Sequence, residues 1–600
     1  MVLVRAVMRR GVLAAIAMLL AIALVSCRSW MVGTRAAETS QIVLSSVQDP
    51  GTFNPALNQE FPSVFLFTFR GLTVEDGLTG EVLPDLAESW QVSEDGLRVV
   101  FTLREGLRWS DGEPLTAADV LFTYRDVVFN DKITTDAKDV MRIGDRHLFP
   151  QIQQLDDRRV EFILPEPFSP FLRGTTGPPS GIFILPKHIL ESTVRSLDSK
   201  GNPRFNSAWG TDTDPKKIVV NGPYLIEQYV PGERLIFRRN PHYWQKDAQG
   251  KPLPYINRIV WQIAGTTDSQ LMSFRSNDLD VIGDARPLRP EYFSLLKREE
   301  KRGNFHLYNG GPWSGTTFIS FNLNRGKNSN GQPLVDPIKS RWFNQREFRQ
   351  AIAHAIDRPR MINNIYRGIS APQNSPVSVQ SPYYLSPEKG LKTYDYNPDK
   401  AKQLLQSVGF QYNADGQLLD ADGNRVRFTL ITNAGNKIRE ALGAQIKTDL
   451  SKIGVQVDFN PIDFNTLINK LTATREWDCH LIGFTGGVDP YSGANLWTST
   501  GGSHQFNLGP QPGGPPVEGW VASDWEQDID RLFKAAAREQ DETKRQDIYA
   551  EFQKVVQDEL PVIHLVHEMA LMAVRDRIQG LKYSGLPSWG LWNVQELRID

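Results

Sequence analysis

The first 27 residues constrain this chain more than any other segment, because they decide where it folds and which covalent links it can use. Arg5, Arg9 and Arg10 form a positive start, residues 11–25 are uncharged and apolar, and Val25-Ser26 lead directly into Cys27. That order reads as an export signal ending at a lipid-modified cysteine. Cleavage before Cys27 removes residues 1–26 and leaves 574 of the 600. A diacylglycerol on Cys27 then tethers the body to a membrane, gaining about 0.8 kcal/mol per buried CH₂. The alternative, an uncleaved span, needs roughly 20 apolar residues, whereas the run 11–25 has 15. Arg9-Arg10 before Gly11-Val12-Leu13 supports a twin-arginine export route only weakly.

With Cys27 acylated, Cys479 is the one cysteine left and has no disulfide partner. Export permits disulfides without requiring them, so the body relies on its cores. Cys479 lies in the apolar stretch Cys479-His480-Leu481-Ile482 and is expected to be a small buried hydrophobe. A 574-residue body exceeds one core, and two to four domains are expected. The formal net charge of −2 becomes −5 once the three leader arginines are lost, so no basic excess exists to hold nucleic acid. Fourteen tryptophans are more than a core requires, and some are expected to line a site for chemically varied ligands.

Residues 41–47 read as a first strand, followed by a turn-rich loop at 49–55. Val99, Phe101 and Leu103 share one face of a strand over 97–103. Thr116 and Asp119 form a variant capping box for a helix striped by Val120, Leu121, Tyr124, Val127 and Val128. Residues 160–164 form a strand; 224–229 and 234–238 form a hairpin turning at Pro231-Gly232. Residues 256–263 form another strand and 268–275 a helix. Beyond about 305, helices alternate with strands. Asn344 is expected to cap one helix, Asp357 to restart it, Asn397-Pro398 to open another, and Ser523 with Glu526 to box a fourth. A helix over 438–453 leads into a strand bearing Val455, Val457 and Phe459. This repetition predicts an α/β lobe with a largely parallel sheet. Residues 483–519 contain ten glycines and little periodicity, and a loop that long in a compact domain is usually functional.

The order of these segments resembles the family 5 solute-binding proteins, the extracytoplasmic receptors of peptide and nickel ABC importers. The densest match runs from Leu86-Ala87-Glu88-Ser89-Trp90 through Trp109-Ser110-Asp111-Gly112-Glu113-Pro114-Leu115-Thr116-Ala117-Ala118-Asp119-Val120. It continues at Asn221-Gly222-Pro223-Tyr224, Asn240-Pro241-His242-Tyr243-Trp244, Phe321-Asn322, Ala355-Ile356-Asp357-Arg358 and Tyr396-Asn397-Pro398. The resemblance implies an α/β, periplasmic-binding-protein-like fold of two hinged lobes with an inserted extra domain. Domain I would comprise 38–75, 216–300 and 570–600, domain II 76–215 and domain III 301–569, after a lipidated tether at 27–40. Ligand would be enclosed between the lobes by hinge closure, by a monomeric receptor that passes it to permease and ATPase subunits.

In peptide-binding members, a strand from domain III ends in a Gly-Trp motif, and an aspartate a few residues later takes the peptide's amino terminus. Here the stretch is Gly483-Phe484-Thr485-Gly486-Gly487-Val488-Asp489-Pro490. Phe484 replaces Trp, Gly487 stands where the aspartate is expected, and Asp489 fits a later Asp-Pro. Losing the partner of a desolvated ammonium costs about 3–5 kcal/mol. Either Asp489 takes the role, or the ligand lacks a free amino terminus. The resemblance further implies pocket positions at Trp313 and Thr316, at Phe53 and Asn54 in the early loop, and at Phe484, Thr485, Gly486 and Gly487. Core packing competes as the role of Phe318, and a turn bond as that of Asn54.

Catalysis finds little support. His564-Leu565-Val566-His567-Glu568 lacks the His-Glu-x-x-His order of a helical zinc site, and on a strand His564 and His567 would face opposite sides. No Gly-x-Ser-x-Gly elbow or P-loop occurs. The expectation is a peptide or peptide-like solute receptor without enzyme activity, resident cofactor or metal. A nickel, haem or other non-peptide receptor, and a ligand sensor, are the rivals.

Overall fold

A computed structural model describes residues 41–600 except 59–63, 145, 178–180, 512–513 and 588; the leader, Cys27 and the tether lie outside the described residues. Along the chain, the strands that build its four larger sheets are β1 (Gln41–Ser46), β2 (Ala87–Val92), β3 (Arg98–Leu103), β4 (Gln151–Gln154), β5 (Arg159–Ile163), β6 (Tyr224–Val230), β7 (Arg234–Arg239) and β8 (Arg258–Ile263). They continue as β9 (Val281–Ile282), β10 (Phe305–Pro312), β11 (Thr316–Phe321), β12 (Arg427–Asn433), β13 (Gln456–Ile462), β14 (Cys479–Phe484), β15 (Val562–His564) and β16 (Met569–Arg575). Four helices matter below: α1 (Arg346–Ala355), α2 (Lys437–Ser451), α3 (Asp524–Arg538) and α4 (Glu542–Glu559).

Three sheets form the first lobe. One has the order β1-β8-β7-β6, with β1 parallel to β8 and the rest antiparallel. The β6–β7 hairpin turns where expected: Gly232 adopts φ +71, open to glycine, and its N–H donates to the Asp49 carboxylate at 3.0 Å. A second, antiparallel sheet runs β2-β3-β5-β4, with Val99, Phe101 and Leu103 facing inward. A third runs β9-β16-β10. The second lobe is one sheet ordered β13-β12-β14-β11-β15. It is only half parallel. β12 pairs parallel with β13 and β14, whereas β11 pairs antiparallel with β14 and β15. Strand β11 enters from the first lobe rather than after a crossover helix, so nothing forces it parallel.

The local stop and start signals hold closely. Thr116 and Asp119 form the reciprocal capping box, as do Ser523 and Glu526. Asp357 caps Arg358–Asn364, and Asn397 caps Pro398–Ser407. Asn344 differs. It ends the helix Pro337–Phe343, donating its side-chain amide to the Ser340 carbonyl at 2.9 Å, and α1 begins after Gln345. The long stretch 483–519 carries short helices at Pro490–Gly493, Ala494–Trp497 and Gln505–Asn507.

The chain passes between the lobes twice side by side, at 313–315 between β10 and β11 and at 565–568 between β15 and β16. A separate bridge joins them through 166–169. Ser169 N–H donates to the Ala537 carbonyl at the end of α3 (2.7 Å), and its hydroxyl to the Glu539 carbonyl. Glu166 pairs with Arg538 at 2.6 Å, and Phe168 meets Tyr491 edge-on. The last carbonyls of a helix lack partners within it; here the other lobe supplies them. Cys479 is fully buried, and burial pushes its thiol well above its ordinary value. Among the described residues, no helix is long and apolar enough to cross a membrane.

Candidate functional site

The two crossings meet. Trp313 N–H donates to the Glu568 carbonyl at 2.7 Å, and Ser314 N–H to the Gly585 carbonyl at 3.1 Å. From behind, buried Arg358 fixes the second crossing, donating Nε and Nη2 to the His564 carbonyl at 3.0 and 2.7 Å. The register Thr316↔Phe484 brings the end of β14 beside the first crossing. Ser314 Oγ then donates to the Gly486 carbonyl at 3.4 Å. Glycine is required there, because a Cβ on residue 486 would lie 1.9 Å from the Ser314 carbonyl oxygen. The close approach is to the protein's own backbone.

Trp313, Thr316, Phe484, Thr485, Gly486 and Gly487 are therefore gathered at the crossings. Thr485 and Gly486 are exposed; Trp313, Thr316, Phe484 and Gly487 are half-buried. The other three sequence-derived positions lie elsewhere. Phe53 is fully buried against Tyr229, with its N–H on the Trp209 carbonyl. Asn54 is fully buried too; its Oδ1 accepts from Ala56 N–H and its amide donates to the Phe205 and Ala208 carbonyls. Both belong to the packing of the early loop, and Asn54 makes the turn bond. Asp489 is 2% exposed. Its carboxylate accepts from Arg545 Nη2 at 2.6 Å and from Tyr491 N–H at 2.9 Å, capping Pro490–Gly493. This acid faces the interior of the second lobe.

Three charged side chains converge on the crossings instead. Arg439 stands in the first turn of α2; Nη1 donates to Asn433 Oδ1 at 2.9 Å and Nη2 to the Gly483 carbonyl at 3.5 Å. Burial lowers its pKa, against the charge of Glu568. Glu568 is exposed, yet burial raises its carboxyl against the pull of Arg439 and Arg286. Such a group is deep in the molecule while facing open volume, as in a cleft. Arg286 comes from the first lobe, where it lines a cavity of about 340 Å³ with Ser46, Gln48, Asp284, Leu288 and Tyr292. That cavity opens beyond the carboxyl ends of β1 and β9, the end where α/β sheets commonly receive ligands. Burial pushes Asp284 up to about 6, against hydrogen bonds that include Trp589. Among the described residues, the Glu568 carboxylate has no hydrogen-bond or ion-pair partner, and no ion pair joins Glu568, Arg439 or Arg286 to another group. For Glu568 and Arg439, charge at depth without an ion pair is costly and makes the crossings a candidate site, whereas Arg286 is exposed.

Sequence reading did not single out Arg439, Arg286 or Asp284, and met Glu568 only beside the His564–His567 pair. Arg439 left one trace: a cation in a helix's first turn opposes the helix dipole. The His564–His567 pair differs from expectation, since β15 ends at His564 and His567 lies on the crossing. Both are buried, and burial lowers them to about 3 and about 4. Among the described residues no cluster of metal-ligating side chains occurs.

Comparison with known proteins agrees with this architecture. A probable ABC transporter-binding protein of Deinococcus radiodurans is 29% identical over 553 residues, covering 89% of this chain and 88% of that protein. The structure of NikA from Brucella suis, in complex with Fe(III)-EDTA, superposes with a TM-score of 0.74 at 20% identity, over 93% of this chain and all of that one. The oligopeptide-binding protein AppA of Bacillus subtilis, in complex with a nonapeptide, does so with a TM-score of 0.68 at 22% identity, over 93% and 99%. The model of the middle region of the bacterial extracellular solute-binding proteins, family 5, matches residues 81–505, most of the chain, and it is to this family that the protein belongs.

Proposed function

We propose that this family 5 solute-binding protein is the receptor of an ABC importer, enclosing a peptide or peptide-like solute between its lobes and delivering it to permease and ATPase subunits. The observation that carries the reading is the set of three unpaired charges at the crossings. Arg439 and Arg286 suit a ligand carboxylate, Trp313 and Phe484 suit apolar side chains, and the charges come from both lobes and the hinge between them. A ligand that bridges such groups favours the closed state by its differential contacts. A three-domain division and a monomeric state belong to the same reading, with domain III beginning at the crossing 313–315 rather than at 301, because β10 pairs with β16 in the first lobe. Because the two guanidinium groups would equally hold an anionic metal chelate, nickel or haem uptake is the second reading, and NikA in complex with Fe(III)-EDTA fits it.

The test is a thermal-shift screen of the body from Arg28 onward, unfolded and refolded to strip carried ligand. The panel holds di- to pentapeptides, their N-acetylated forms, nickel–histidine and haem. A ligand at 100 times its Kd adds about 2.7 kcal/mol. Stabilisation by peptides is expected; stabilisation by chelates alone overturns the peptide reading.

Cys27 is proposed as the lipid attachment site, on the leader pattern in residues 1–27. Cys27→Ala is expected to move the protein to the soluble fraction with unchanged ligand affinity. Retention in the membrane pellet after carbonate washing would refute the anchor.

A further inference from the structure

Of the acids that could receive a ligand cation, Asp489 is committed to Arg545 inside the second lobe and Asp284 to Trp589, and position 487 is glycine. Glu568 alone of these three acids has a carboxylate with no hydrogen bond or ion pair among the described residues, and it is exposed. Its own backbone is held rigidly: its carbonyl accepts from Trp313, and the flanking His567 carbonyl from Ser370 Oγ at 2.5 Å. The residue is thus fixed in place while its charge is left open.

We propose that Glu568 receives the ammonium group of the ligand, so that the cation site lies on the second crossing rather than on the loop after β14. This rests on the peptide reading of the cleft. Arg439 and Arg286 flank Glu568 closely enough to act on its charge, so a lone cation would be repelled, and the cluster is matched by a zwitterion. A carboxylate answers the guanidinium groups while the ammonium answers Glu568. A dipeptide spans at most about 7 Å, the scale over which charges in a partly desolvated site remain strongly coupled. Placing the acid on the hinge also has a consequence for motion. A group anchored there is reached by ligand before the lobes close, whereas Arg286 and Arg439, one on each lobe, complete their contacts on closure.

The experiment compares wild type, Glu568→Gln and Glu568→Asp, using peptides that wild type captures from a di- to pentapeptide library, each in free and N-acetylated form. Calorimetry gives the affinities and a urea melt checks folding, which the Gln variant retains because Glu568 makes no side-chain bond to lose. Wild type is expected to prefer free over acetylated peptide. Glu568→Gln should lose about 30-fold or more on the free form, as for breaking one side of a buried charge pair. It should keep its affinity for the acetylated form, and Glu568→Asp should recover part of the loss. A Gln variant that keeps the wild-type preference overturns the assignment while leaving the peptide reading standing. Wild type that captures no peptide overturns that reading itself.

Discussion

Asp489→Asn is expected to destabilise the protein by about 3–5 kcal/mol while leaving its discrimination between free and acetylated peptides unchanged. The reason lies with Arg545, which is almost fully buried on α4. Its Nη2 reaches Asp489, its Nη1 reaches Tyr383 Oη at 2.7 Å, and its Nε reaches the Ala536 carbonyl at 3.2 Å. Burial alone would pull this guanidinium's pKa down; Asp489, together with Tyr383 and Tyr549, more than offsets it, and the pKa is raised. Asparagine keeps an oxygen for Tyr491 N–H but removes the charge, leaving a buried cation whose other acidic partner, Glu542, is largely open to water. Urea midpoints of the two proteins measure the loss, and the acetylation series measures the discrimination. A variant as stable as wild type that binds free peptides selectively worse would restore Asp489 as a ligand anchor.

This reversal shows which parts of the fold and site are legible in the chain. Capping boxes at Thr116 and Ser523, the Asn397-Pro398 start and the turn at Gly232 are bonds closed within a few residues, so the sequence around them carries the whole arrangement. Asn344 was misplaced by the same logic: two helices meet within three residues, and an asparagine serves the end of one as readily as the start of the next. The family motifs placed Trp313, Thr316 and 484–487 together, because the β11–β14 register aligns both segments. The pairing of Asp489 with Arg545 is not legible in the chain, because the partner lies 56 residues away on a helix face, where no local pattern announces it. The burial of Phe53 and Asn54 is hidden in the same way, since it depends on contacts with residues 205–209. Glu568 and Arg286 stand out only once the folded chain shows that nothing pairs with them.

The pH dependence of stability tests the packing behind the crossings. His480 on β14 is fully buried between Phe318 and Trp477, and neither ring nitrogen has a protein partner. Burial, aided by Arg439, lowers its pKa to about 3, whereas an unfolded histidine titrates near 6.5. Below pH 6.5 the unfolded chain therefore binds a proton that the folded one refuses, and stability falls as pH drops from 6.5 toward 3. At pH 5.0 this one residue costs about 2 kcal/mol relative to pH 7.5, and His564 and His567, lowered to about 3 and 4, act in the same direction. Buried acids oppose them. Asp85 and Asp284, raised to about 7 and about 6 by burial, take up protons in the folded state and gain stability over the same range. The acids are common to wild type and His480→Leu, so the difference between the two proteins isolates the histidine. The leucine variant is expected to lose about 2 kcal/mol less than wild type between pH 7.5 and 5.0, read from urea midpoints at the two pH values. Parallel losses in both proteins would mean that His480 is protonated in the folded state, which would require a polar or solvated surrounding at odds with its aromatic packing.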